Sequence, residues 1–159
     1  MNAITILKED HQKFLKLFDK IEQNTEQNKR DIFFQQLQLT ITTHMLSEER
    51  VFYPAVKRYS EIADVIDKSF QSHHFVNVGL KELHTTPFDS ETWLPKFQAI
   101  RDSIITHMCD EENCLFPKVM ELMDLPQLES LGNDILKLRS SNHTNEHGPM
   151  VDPSTQITS

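Results

Sequence analysis

Glycine is scarce, at 3 in 159 residues. A β-sandwich or barrel needs a turn every eight to twelve residues or so, and such turns lean on glycine. An all-helical chain does not. Cysteine is nearly as rare. Cys109 and Cys114 stand five apart in a segment of helical character, which turns them roughly 140° from each other and suggests neither a disulfide nor a CxxC redox pair. Cys114 falls seven residues after His107 and shares its helical face, so a buried packing thiol is expected there. Clustered lysine and arginine are absent, and the net charge is −8, which disfavours nucleic acid. No apolar run approaches the ~18 residues of a membrane span. MNAITILKEDHQKF carries acids where a leader peptide has its apolar segment, so a cytoplasmic protein without a membrane partner is expected.

Histidine, by contrast, is plentiful at eight residues. HMLSEERVFYP, from His44 to Pro54, returns in the second half of the chain as HMCDEENCLFP, from His107 to Pro117. His11 and His73 repeat at almost the same offset as His44 and His107. Each half of the chain thus has one segment bearing a His, followed by one bearing His-x-x-x-Glu.

Apolar residues recur at helical spacing through most of the sequence. The first stripe, within about residues 2–23, is Ile4, Leu7, His11, Phe14, Phe18 and Ile21. QNTEQNK interrupts it, and a second helix is expected from Asp31, with Leu37, Ile41, His44, Glu48 and Phe52 on one face. A third, after Ser60, carries Ile62, Ile66, Phe70, His73, Val76, Leu80 and Leu83. A fourth, after Ser90, carries Phe97, Ile100, Ile104, His107, Glu111 and Leu115. A short fifth helix, about residues 126–139, offers Leu128, Leu131, Ile135 and Leu138. The expected fold is all-α, an antiparallel up-down-up-down four-helix bundle with a short C-terminal helix laid against it, covering residues 1–139. Residues 140–159 are polar and aperiodic and are expected to be a disordered tail.

Four imidazoles and two carboxylates therefore sit on stripes made otherwise of Ile, Leu, Val and Phe. Burying them without partners is costly. Residues i and i+4 share a helical face, so His44 with Glu48 and His107 with Glu111 can each grip a common ion from one helix. A lone His on an apolar stripe is usually a satisfied core residue, and a lone His/Glu pair usually a weak surface contact. Six such residues in a two-fold repeat are better explained by metal, with His11, His44, Glu48, His73, His107 and Glu111 as ligands. His73 is preferred to His74 because its neighbours at three and four residues are apolar. Glu49 and Glu112 lie one residue off the stripes and are read as exposed or as outer partners, Asp110 as solvated, and Met45 and Met108 as packing. His84, His143 and His147 are given no role.

With these motifs in place the chain resembles the hemerythrin-like proteins of the HHE cation-binding class, over about residues 1–139. ERVFYPAV and EENCLFPKV match that family's habit of closing the ligand helix with an aromatic-Pro step. The resemblance implies two iron ions, oxo- or hydroxo-bridged, with the glutamates bridging and the histidines terminal. It departs in two places. Oxygen carriers have His-x-x-x-His on the third helix, where this chain has His73-x-x-x-Asn77, and their last carboxylate is an Asp five after the His rather than Glu111 at four. With one His fewer, roughly two of twelve coordination positions stay open, which favours binding of or reaction with O2, NO or peroxide, for sensing or protection, over oxygen storage. No dedicated catalytic machinery accompanies the site.

Two rivals are weaker. Ferritin-like proteins use Glu-x-x-His pairs, yet no residue three before any His is acidic; the His-Glu-x-x-His of a zincin is also missing. The remaining alternative is a metal-stapled interaction or signalling module without redox chemistry.

Overall fold

The computed structural model describes residues 1–146, with side chains described as far as 142. Every regular element among them is helical. Helix α1 (Ala3–Gln23) is capped by Asn2, whose Oδ1 accepts from the Thr5 N–H at 3.0 Å. α2 (Gln27–Ser47) follows after only three residues. It starts four residues earlier than its apolar pattern does, because Arg30 reaches back to donate from Nε to the Ile21 carbonyl at 3.0 Å. That carbonyl belongs to the last turn of α1, where no helical donor is available.

α2 does not stop at its ligand motif. It passes through a π-helical turn, Glu48–Phe52, into the short α3 (Tyr53–Val56). α4 (Ala63–Thr85) and α5 (Trp93–Asp110) come next, and α5 repeats the device with a π turn at Glu111–Leu115 leading into α6 (Phe116–Leu122). The cause is shared. Pro54 and Pro117 have no N–H, and in an α-helix their rings would press on the carbonyls of Arg50 and Asn113. A wider turn relieves this, and the residue before each proline donates five residues back, Tyr53 N–H to Glu48 O and Phe116 N–H to Glu111 O.

α7 (Leu125–Glu146) is not the short element expected. It has 22 residues, one more than α1. Residues 140–146, expected in the polar tail, continue this helix; residues 147–159 of that expectation, with His147, lie outside the described residues, as does the side chain of His143. α7 packs on α1 and α2. At Gly132 a Cβ would strike the Met1 carbonyl and crowd Ala3 N at 3.1 Å, so glycine is what allows the close crossing.

The stripes read from the sequence point inward, with one exception: Phe70 is 38% exposed, though its ring lies 5.5 Å from that of Tyr53. The core is in two parts. One, around Phe18, Leu37, Leu80, Trp93 and Phe97, fills the end where α1 meets α2 and α4 meets α5. The other, around Leu7, Phe52, Ile66, Phe116 and Ile135, lies under α3, α6 and α7. A layer of buried polar residues separates them, and it contains His11, His44, Glu48, His73 and Glu111. No described helix is long and apolar enough to cross a membrane.

Candidate metal centre

All six residues singled out by pattern meet in that layer, in two adjacent groups. His11, His44, Glu48 and Glu111 form the first, and Glu48, His73, His107 and Glu111 the second; in each, one nitrogen or oxygen per residue lies within 4.8 Å of all the others. Donors about 2 Å from a common ion, on opposite sides of it, stand about 4 Å apart, so both groups have the span of a coordination shell.

Both carboxylates belong to both groups, one oxygen to each. Glu48 Oε1 lies 3.2 Å from His44 Nε2, and its Oε2 lies 2.9 Å from His73 Nε2. Glu111 Oε2 lies 3.2 Å from His11 Nε2, and its Oε1 lies 2.9 Å from His107 Nε2. The helices explain this placement. His and Glu four apart bring their heads together on α2 and again on α5, and the π turn beginning at each Glu keeps the following acid close to the same layer.

Among the described residues, five buried polar side-chain atoms have no hydrogen-bond partner. Four of them are His11 Nε2, His44 Nε2, Glu48 Oε1 and Glu111 Oε2, the complete donor set of the first group. The fifth, Trp93 Nε1, is in the other core. Buried atoms of this kind are ordinarily paired, and four orphans converging on one point fit a cation. Imidazole with carboxylate is a donor set for first-row transition metals.

Three of the histidines are oriented from behind. His11 donates from Nδ1 to Glu112 Oε1 at 2.8 Å, His73 from Nδ1 to Glu49 Oε1 at 2.9 Å, and His44 from Nδ1 to Asp10 Oδ2 at 3.0 Å. Each bond fixes the ring and leaves Nε2 facing the site. Glu49 and Glu112, ambiguous in sequence, thus serve the histidine of the opposite half of the repeat. Asp10 in turn is held by Arg139 of α7, a fork with Nη2–Oδ2 at 2.6 Å and Nη1–Oδ1 at 3.3 Å, while Arg139 Nε donates to Ser47 Oγ at 3.1 Å.

Charge in the metal-free protein follows from this packing. Burial opposes charge on His44, but the Glu48 and Asp10 carboxylates overcome it and raise its pKa from 6.5 to about 10. His107 behaves alike: burial opposes, and Glu111 and Glu48 carry it to about 10. Burial would lift Glu48, yet the surrounding histidines hold it well below the carboxylate range. Burial would also lift Asp10, and its bonds to His44 and Arg139 bring it below its ordinary value. Protons on the Nε2 atoms of His44 and His107 therefore stand where a cation would.

Tyr53 was not expected. Its hydroxyl sits inside the second group, 2.9 Å from Glu48 Oε2, 2.8 Å from Glu111 Oε1, 3.3 Å from His73 Nε2 and 3.4 Å from His107 Nε2. Burial, then the two carboxylates, push this phenol well above its usual pKa, so it keeps its proton and donates hydrogen bonds to the carboxylates. In metal-free protein Tyr53→Phe should cost about 1–3 kcal/mol, because it leaves buried carboxylate oxygens short of a donor. The same change in metal-loaded protein should cost less, and paired denaturation curves would show the difference.

Two expectations about the site are corrected. Cys114 is exposed, as is Cys109. The π turn inserts a residue between His107 and Cys114 and turns the thiol off the face it would hold in a regular helix by about 100°. Asn77, read as the gap left by a missing fifth histidine, is exposed on α4, and it is Val76 that borders the site. His74 is exposed, in keeping with the preference for His73, which is 2% exposed.

The family model for the Hemerythrin HHE cation binding domain matches residues 2–119. The chain belongs to this family. A Hemerythrin HHE cation binding domain-containing protein from Mycobacterium kansasii has a similar fold in its crystal structure, with a TM-score of 0.76 at 23% identity, covering 89% of this chain and 86% of that one. A DNA nickase of Nostoc sp. (strain PCC 7120 / SAG 25.82 / UTEX 2576) is 21% identical over 140 residues. That alignment takes in 88% of this HHE chain but 40% of the nickase, so the chain spans well under half the length of this relative. The family match ends before α7, which places Arg139 outside it.

Proposed function

We propose that this HHE domain holds two iron ions and that the centre binds or reacts with O2, NO or peroxide, in sensing of or protection from oxidative or nitrosative stress. The observation that carries the reading is the pair of adjacent two-His, two-Glu groups sharing both carboxylates. His11, His44, Glu48 and Glu111 would hold one ion, and Glu48, His73, His107 and Glu111 the other. The antiparallel four-helix bundle is part of the same reading, with α1, α2, α4 and α5 each contributing ligands.

A bound iron pair supplies redox electrons to a small oxidant. The chain supplies everything around it. Glu112, Glu49 and Asp10 hold three imidazoles in the orientation that presents Nε2. A cavity of about 20 Å³ adjoins the site, bordered by His44, His73 and His107 on one side and by apolar side chains such as Phe14, Ile41, Val76 and Ile104 on the other. That volume suits a water or a diatomic molecule, since one water needs roughly 10–15 Å³ on this measure. The apolar wall disfavours larger anions, and the Tyr53 O–H is the hydrogen-bond donor within reach of the second group. A cytoplasmic setting, where free Cys109 and Cys114 persist, is consistent with this role.

A second reading is a silent metal that staples an interaction module, and kinship with part of a larger protein favours it. DNA cleavage is not carried over, because a net charge of −8 opposes phosphate binding. Protein purified without added metal should contain about two irons per chain and show ligand-to-iron absorption that changes with O2, azide, NO or peroxide. A single zinc with a featureless, unresponsive spectrum would establish the staple instead.

A further inference from the structure

The repeat that duplicates the ligands does not duplicate what stands behind them. His44 and His107 are equivalent positions, each opening one copy of the His-Met-x-x-Glu-Glu motif. Behind His44 is Asp10, 2% exposed, anchored by the Arg139 fork. The counterpart of Asp10 in the second half is Ser72, which precedes His73 as Asp10 precedes His11. Ser72 borders the same cavity as His107, but among the described residues nothing accepts from His107 Nδ1, and the His107 side chain is 12% exposed against 3% for His44. α7, which brings Arg139, follows the second repeat and has no copy of itself among the described helices.

The aromatic-Pro steps diverge in the same sense. Phe116 stacks on His11, with ring centroids 6.0 Å apart, and brings no hydroxyl to the first group, whose four inner atoms have no hydrogen-bond partner. Its twin, Tyr53, puts a hydroxyl into the second group and already bonds to both carboxylates there. A cation entering the first group gains four unpaired donors on braced rings. One entering the second must displace the Tyr53 contacts and order an unbraced His107.

We propose that the two metal positions bind with unequal strength: Asp10 and Arg139 make the His11–His44 position fill first and retain its ion, and the His73–His107 position is the one that exchanges. The ranking rests on the two-metal reading above. Loss of an outer partner of a metal-bound histidine typically weakens binding about 10–100-fold, so a bracing difference of this kind is enough to separate two otherwise matched positions.

The test is an anaerobic titration of the full metal-free chain with Co2+, followed by visible absorption, against a chelator of known affinity. Wild type should show two steps separated by about tenfold or more. Asp10→Asn and Arg139→Ala should weaken the tight step by about 10–100-fold and leave the weak step in place; Arg139→Lys should restore part of the loss. Ser72→Asp, which offers His107 the partner it lacks, should tighten the weak step. Two steps of equal affinity in wild type would overturn the ranking alone. So would equal weakening of both steps by Asp10→Asn, or no response to Ser72→Asp, which also decides the matter if the Asp10 variant fails to fold. A single bound equivalent in wild type would overturn the two-metal reading and the ranking together.

Discussion

Glu48→Ala is expected to empty both proposed metal positions at once, whereas His11→Ala should empty one. Glu48 is fully buried and gives one oxygen to each group, so its removal takes a negative charge and a donor from both groups. The loss should exceed the roughly 10–100-fold that an outer partner costs, and elemental analysis of purified protein should find little metal. Stability should follow, because metal that binds only the folded chain adds about 2.7 kcal/mol per site at a free concentration one hundred times the dissociation constant. For a domain of this size each kcal/mol shifts the melting temperature by about 2–4 °C. Two such sites then correspond to a fall of roughly 10–20 °C relative to loaded wild type. Glu111→Ala should behave the same way, and exposed His84→Ala should change neither metal nor melting. Normal metal content in Glu48→Ala would refute the shared-carboxylate centre.

Metal-free protein should lose stability as the pH rises above neutrality, and metal-loaded protein should not. His44 and His107 have folded pKa values raised from 6.5 to about 10. Groups raised in this way stabilise the fold fully below their unfolded value of 6.5, and that stabilisation is lost as the pH climbs through about 10. The change corresponds to on the order of 5 kcal/mol for one imidazole. The two histidines share Glu48, so their contributions do not simply add. At the acid end the signs reverse. Glu48 and Asp10 are lowered, so their contribution is present above the ordinary values of 4.5 and 3.8 and fades as the pH falls through their folded values. Chelator-stripped protein should therefore be most stable at about pH 5–6. A cation takes the place of the Nε2 protons, so its affinity grows with pH and the gap in melting temperature between loaded and stripped protein widens from about pH 6 to about pH 9. A constant gap over that range would mean that the two histidines are neutral in the empty site.

The six convergent side chains were legible because each lies on an uninterrupted apolar stripe. Helical phase carries His11, His44, His73 and His107 inward with no information from other parts of the chain. Phase fails where the helix is not α. Tyr53, five residues after Glu48, would point about 140° away from it on a regular helix, and the extra residue of the π turn brings it back by about 100°. The signal was present in Pro54 and Pro117, which disfavour a regular helix there, and in the hydroxyl that distinguishes Tyr53 from Phe116. Cys114 was misplaced for the same reason. Asp10 and Arg139 were out of reach in a different way. They are 129 residues apart, and an acid in LKEDHQKF reads as solvated until α7 is seen to cross above it. The reach of α7 was hidden by composition, since SSNHTNE has little apolar content and owes its helical form to the helix that precedes it.

The two π turns make segment length, more than residue identity, the quantity that this part of the chain must preserve. Each is one residue longer than a regular helix would need between its carboxylate and its proline. Deleting a single residue between Glu48 and Pro54 would rewind that stretch into a regular helix and press the Pro54 ring on the preceding turn, and inserting one would swing Tyr53 and Phe52 about 100° out of the interior. Exchanging Arg50 or Val51 for another side chain would leave the path of the backbone unchanged. Related sequences that share this architecture should vary at positions such as Arg50, Val51, Asn113 and Cys114 while showing no insertions or deletions within the two spans.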